Sequence, residues 1–223
     1  MKLLIRLAAA IVLLCGGLPA AAQDWPSVPV PADAAGYWVT EHMLYNGLNM
    51  RASRFEIAQP LAKVEAFYRD AWGARMARTP WRNKTILGRA EGRHYITVEL
   101  TPAGNATRGQ IGVMEIPREA PRTPPGSGFP MPSQTKVSED IVYLDTPQRT
   151  RTLNMENAFS PLQNAQFYSR TMKARGYVPE RGSTPCTAAS DQCISFYSRH
   201  DAKLMLSFKR VASGSNLVAV QSR

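Results

Sequence analysis

Two cysteines, Cys186 and Cys193, stand close together near the C-terminal end of a 223-residue chain. In an oxidising compartment such a pair forms a disulfide. Closing so short a loop contributes roughly 2.5 kcal/mol by the chain-entropy argument. The spacing is too wide for a C-x-x-C redox couple, and no neighbour in sequence would lower a thiol pKa. The histidines are His42, His94 and His200. None stands four residues from another, and none keeps metal-ligand spacing with a cysteine or carboxylate, so no metal site is expected. His94 and His200 fall near comparable turns and read as solvated turn residues. Gly126-Ser127-Gly128 lies among prolines rather than between a strand and a helix, so it is no nucleophile elbow. No glycine loop cradles phosphates and no carboxylate pair stands out. No catalytic residue and no cofactor is assigned, and an enzyme with a site between the two halves of the chain is the third-ranked reading.

The densest group of binding-type side chains is basic: Arg75, Arg78, Arg82, Lys84, Arg89 and Arg93, with Trp81 among them. Lys and Arg number 27 against 17 Asp and Glu, a formal net charge of +10. Arginines beside an aromatic ring can stack on bases or sugars, and a basic protein meets phosphate polymers readily. No nucleic-acid motif accompanies the cluster, and a solvated charged face is the simpler explanation of it.

The N-terminus sets the compartment. Lys2 and Arg6 precede the apolar run 7–14, and Ala20-Ala21-Ala22 supplies small residues at the −3 and −1 positions. Residues 1–22 therefore read as a cleavable signal peptide. Cys15 follows Leu13-Leu14, which suits a lipoprotein peptidase poorly. The expected location is the periplasm, with the extracellular space as the alternative. No later run approaches the ~20 apolar residues that span a bilayer.

The elements that must position these side chains read as a repeat. Val39-Thr40-Glu41-His42-Met43-Leu44-Tyr45 aligns with Val137-Ser138-Glu139-Asp140-Ile141-Val142-Tyr143, Pro60-Leu61 with Pro161-Leu162, and Phe67-Tyr68 with Phe167-Tyr168. Asn46-Gly47 between apolar runs is a strong hairpin signal, because a type I′ turn needs positive φ at both central residues. Leu61, Val64, Phe67, Tyr68 and Ala71 form a helical stripe, as do Leu162, Ala165, Tyr168 and Met172. Ser160 before Pro161 predicts a helix start. Three strands follow each helix, at 85–90, 95–100 and 110–115, and again at 193–198, 204–208 and 217–220.

The predicted fold class is α+β: a tandem duplication of a β-hairpin–helix–three-strand unit, each unit an antiparallel sheet with one helix on one face. The predicted organisation is a signal peptide (1–22), an extended Pro-rich segment (23–36), a first unit (37–115), a Pro-rich linker (116–136) and a second unit with the disulfide (137–223). Prolines 117, 121, 124, 125, 130 and 132 make the linker an extended spacer or surface strap. The leading expectation is a non-catalytic periplasmic binding or scaffolding protein with an envelope protein partner, such as an accessory of a secretion or pilus system. The second is a binder of an anionic envelope polymer or extracellular nucleic acid through the basic cluster.

Overall fold

A computed structural model describes residues 25–223, so the expected signal peptide and Cys15 lie outside the described residues. The chain enters as an extended strap, then forms β1 (Ala35–Tyr45) and β2 (Leu48–Ile57), joined at Asn46-Gly47 with φ of 50° and 81°. Helix α1 (Leu61–Trp72) follows, then a 3₁₀ turn at Gly73–Arg75. After these come β3 (Ala77–Trp81), β4 (Lys84–Glu91), β5 (His94–Ala103) and β6 (Ala106–Glu115). Beyond the Pro-rich segment the same order returns. It comprises β7 (Lys136–Tyr143), β8 (Thr150–Asn157), α2 (Pro161–Ala174), β9 (Val178–Pro179), β10 (Gln192–Arg199), β11 (Ala202–Val211) and β12 (Gly214–Ser222).

All strands join one antiparallel sheet of twelve, in the order β3-β4-β5-β6-β2-β1-β7-β8-β12-β11-β10-β9. The halves meet where β1 pairs with β7, over Met43–Tyr143, Leu44–Val142 and Tyr45–Ile141. Side chains hold this seam as firmly as the ladder does. The Asp145 carboxylate accepts from Thr40 Oγ1 at 2.8 and 3.0 Å and from the Glu41 amide at 2.7 Å. The Asn46 side chain accepts from the Asp140 amide at 2.8 Å. Tyr45 donates to Glu139 at 3.0 Å, and burial together with that carboxylate pushes its phenol pKa up to about 12.

Each helix lies on the same face of its half-sheet. Val64, Tyr68 and Trp72 of α1 pack on Phe55, Leu87, Ile96, Val98, Leu100, Ile111 and Val113. Tyr168 and Met172 of α2 pack on Leu153, Met155, Tyr197, Leu204, Leu206, Phe208 and Leu217. The period-2 alternation of β5 and β11 places Ile96, Val98 and Leu100, and Leu204, Leu206 and Phe208, on this face. The disulfide joins Cys186 to Cys193 of β10, which is buried. Among the described residues no helix is long and apolar enough to cross a membrane.

Several sequence expectations need correction. Four strands, not three, follow each helix, because β3 and β9 sit at the sheet edges. A two-sided exposed edge strand carries no apolar alternation, and Pro80 and Pro179 there remove donors an edge can spare. Ala71 is exposed, and Trp72 takes its place in the stripe. Pro60 caps α1 whereas Pro161 is the first residue of α2, so the two prolines do not occupy one position; Pro60 matches Ser160. His94 is no turn residue. It opens β5 and is buried, with its ring 4.9 Å from that of Trp25 and its Nε2 without a hydrogen-bond partner. The Pro-rich segment does more than span: Phe129 and Met131 pack against the second core, as Trp25 and Val28 pack against the first.

Candidate functional site

Positions 100 residues apart share one place in the two half-sheets. Strands β2 and β8 end at Ile57 and Asn157, the helices cap at 60 and 160, and Tyr68 and Tyr168 are both fully buried. Thr107, opposite Ile57, donates to the Gln59 carbonyl at 2.8 Å. Ser215, opposite Asn157, donates to that of Phe159 at 2.6 Å. In this register Arg51 matches Arg151, and both point to the helix-bearing face.

The surroundings of the two arginines differ. Arg151 is forked onto Asp140, Nε to Oδ1 at 2.8 Å and one terminal nitrogen to Oδ2 at 2.6 Å, and both terminal nitrogens donate to the Ser127 carbonyl at 3.1 Å. Asp140 also accepts from the Gly126 amide at 2.8 Å. Burial by itself would raise the Asp140 carboxyl, but the guanidinium and that amide outweigh it and hold the pKa below its ordinary 3.8. A shallow basin of about 270 Å³ beside this pair is lined by Val142, Arg149, Arg151, Gln221 and Arg223.

In the first half the place of Asp140 is taken by Trp38: Asp140 stands opposite Leu153, and Trp38 opposite Ser53. Arg51 thus has no carboxylate among the described residues. Its guanidinium lies 4.7 Å from the Trp25 ring centroid, and its Nε is buried with no hydrogen-bond partner among the described residues. The outcome is an open cleft of about 360 Å³ between the N-terminal strap and strands β1, β2 and β6. Trp25, Val28 and Val30 form one wall, Trp38, Tyr37 and Gly36 another, and Ile111 and Val113 the floor. Arg51 and Arg54 are the charged residues bordering it, Arg51 on the helix-bearing face and Arg54 alternating to the other, and among the described residues no carboxylate lines it.

The cleft opens beside a bare strand edge. β1 pairs with β2 from Ala35 onward, but its other side meets β7 only from Met43, and Asp145 covers the amides of Glu41 and His42. Between Ala35 and Val39 no described strand pairs with that side. Tyr37, Trp38 and Val39 are 60%, 55% and 42% exposed there, three consecutive large apolar residues. Exposed apolar edges are templates for pairing with another chain.

The basic cluster is divided by the fold. Arg82, in the β3–β4 turn with φ of 55°, lies 5.1 Å from the Trp81 ring, and Trp81 is half-exposed. Arg75 ends the 3₁₀ turn. Arg78 is bonded to Glu65 of α1 at 2.8 and 3.1 Å, and Lys84 to Glu99 at 2.5 Å. Arg89 pairs with Glu91 at 2.7 Å. Arg93 pairs with Glu115 at 2.5 Å, at the opposite end of β4. Eight residues of strand put Arg93 roughly 24 Å from Lys84. Trp81, Arg82 and Lys84 gather at the β3–β4 turn, whereas Arg78 faces α1 and Arg75 precedes the far end of β3. Among the described residues no group of three or more His, Cys, Asp or Glu is placed to hold a metal ion.

Comparison with family models, with curated proteins and with solved structures finds no match to this chain.

Proposed function

We propose that the protein is a non-catalytic binding protein of the bacterial periplasm, accessory to an envelope assembly, and that it docks an extended segment of a partner along the β1 edge. The observation that carries this reading is the exposed run Tyr37-Trp38-Val39 on an unpaired strand edge beside the cleft. Strand addition draws affinity from main-chain hydrogen bonds and specificity from pockets for alternate side chains, and this edge offers both. The compartment follows from the Lys2-to-Ala22 signal pattern and is consistent with the Cys186–Cys193 disulfide.

We infer as well that the chain is a tandem duplication, with units at 37–115 and 137–223. Support comes from the shared element order, the 100-residue register that relates β2 to β8 and α1 to α2, and the two straps. Val28-Pro29-Val30-Pro31 and Phe129-Pro130-Met131-Pro132 precede β1 and β7, and each ends in the same turn: Ala34 N to Pro31 O at 3.0 Å, Thr135 N to Pro132 O at 3.4 Å.

Cross-linked affinity purification of the exported protein at two salt concentrations tests the docking reading. Defined envelope subunits should be recovered at both, and lost when Trp38→Lys and Val39→Lys charge the edge. Recovery that is indifferent to this double variant overturns the reading. Recovery of glycan or nucleic acid alone, lost at higher salt and on reversing Arg78, Arg82 and Lys84 to Glu, would favour the basic cluster instead.

A further inference from the structure

We propose that the cleft beside Trp25 receives a carboxylate, an Asp or Glu side chain carried on the docked segment, and that Arg51 binds it. The inference rests on the docking reading above. Its basis is the contrast between two arginines at one register position. Arg151 is satisfied from within the chain by the Asp140 carboxylate, with Ser127 O completing its fork. Arg51 holds the same place on β2, yet Trp38 stands where the acid would be, and the Nε of Arg51 is buried with no hydrogen-bond partner among the described residues.

A guanidinium donor left unpaired in a half-buried site is costly, and a forked carboxylate is the group that fits its geometry. The cleft is open and about 360 Å³, carries Arg51 on its helix-bearing side with no acid lining it among the described residues, and is floored by Ile111 and Val113. A chain running along Ala35 to Val39 presents alternate side chains to the helix-bearing face. That chain lies two strand spacings, roughly 10 Å, from β2, so an Asp or Glu among them would reach across β1 beside Trp38 to meet Arg51 in the cleft. The Trp25 ring, 4.7 Å from the Arg51 guanidinium and 4.9 Å from the His94 ring, helps to position the guanidinium. Apolar neighbours of the acid would meet Trp38, Val28 and Val30.

The probe is a phage-displayed library of random linear dodecamers, panned on the purified, exported protein. Enriched peptides should share one acidic residue flanked at alternate positions by apolar ones. Synthesised, they should bind at least tenfold more weakly to Arg51→Gln, or when their own Glu becomes Gln, and the two changes together should cost little more than either alone. Unchanged melting of Arg51→Gln keeps the loss local. Enriched peptides without an acid, or binding Arg51→Gln within twofold, overturn the carboxylate inference while leaving the docking reading intact. So does dependence on Arg149→Gln or Arg223→Gln in its stead. Peptides that bind Trp38→Lys/Val39→Lys as well as wild type overturn the docking reading itself, as does the enrichment of none.

Discussion

The two halves solve the same packing problem with different residues. Opposite Phe55 of β2 stands Gly109, and a Cβ there would run into the Phe55 ring; at the matching place Met155 faces Leu217. One half puts its volume on one strand, and the other shares it between two. At the helix starts Ile57 and Val64 are both buried in the first core, while at the matching positions Asn157 and Asn164 exchange side-chain amide bonds of 2.9 and 3.0 Å. Asn157 also reaches strap residue Thr135 at 3.1 Å. The second half thus ties its strap down through polar groups, Asn157 to Thr135 and Asp140 to Gly126. The first holds its strap by ring contacts of Trp25 with Arg51 and His94. A strap held by its aromatic residue leaves a cleft; one stitched to the sheet by a carboxylate closes it.

The largest test of this comparison is an exchange. Gly109→Leu alone should destabilise by about 3 kcal/mol or more, because overpacking against Phe55 has nowhere to relax. Combining it with Phe55→Met recreates the pair of the second half and should recover most of the loss in urea melts. If the double variant is no better than the single, the two half-sheets are not interchangeable at this site.

Next come the arginines. Asp140→Asn strips the charge from a carboxylate that is 13% exposed and leaves Arg151 without its counter-ion, at a cost of about 2–4 kcal/mol. Arg51→Gln removes an ion whose described contact is the Trp25 ring and whose Nε lacks a hydrogen-bond partner, and should change stability by less than about 1 kcal/mol. The folded pKa of Asp140 lies below its unfolded value, so its stabilisation is fully present above pH ~4 and fades as pH falls through the folded value. Amide protection factors in β7 and β8, corrected for the pH dependence of intrinsic exchange, should therefore fall on acidification below pH 4, and Asp140→Asn should flatten that fall. Equal costs for the two arginine-site variants would erase the distinction between closed and open halves.

The pattern of what could be read from sequence follows the same physics. The Asn46-Gly47 hairpin, the Ser160-Pro161 helix start, the β5 alternation and the Cys186–Cys193 bridge each rest on local signals, and local signals survive folding. The edge strands β3 and β9 bury neither face, so no periodicity marks them. The basic cluster is contiguous in sequence, but a β-strand spreads contiguous residues along its length and onto two faces, and carboxylates from α1, β5 and β6 answer Arg78, Lys84 and Arg93. The cleft joins the strap, β1, β2 and β6, and β2 and β6 pair across the whole of α1 and three strands. Arg51 bore no mark as a lone arginine in a strand. The signal that could have found it was Tyr37-Trp38-Val39, three large apolar residues without alternation where a half-buried strand should alternate.

The asparagine pair ranks below the ion pair. Asn164→Val leaves the Asn157 amide buried and underbonded and should lower stability by about 1–3 kcal/mol. Adding Asn157→Ile installs the apolar pair of the first half and should return most of it, with some loss left because Thr135 on the strap no longer has its partner. A double variant as unstable as Asn164→Val would mean that the second half needs its polar link to the strap and cannot borrow the apolar solution.

The smallest expected effect falls where the halves agree. Tyr68 and Tyr168 are each wholly buried under their helix, each hydroxyl is without a hydrogen-bond partner, and burial pushes both phenol pKa values up. An unbonded hydroxyl in an apolar core contributes no hydrogen bond and retains a desolvation cost, so deleting it should be neutral or mildly stabilising. Tyr68→Phe and Tyr168→Phe should each shift stability by less than about 1 kcal/mol, upward if at all. A marked loss in one but not the other, measured by thermal melts of the two single variants, would show that one helix seats its ring differently, and the shared register would then break at its most deeply buried point.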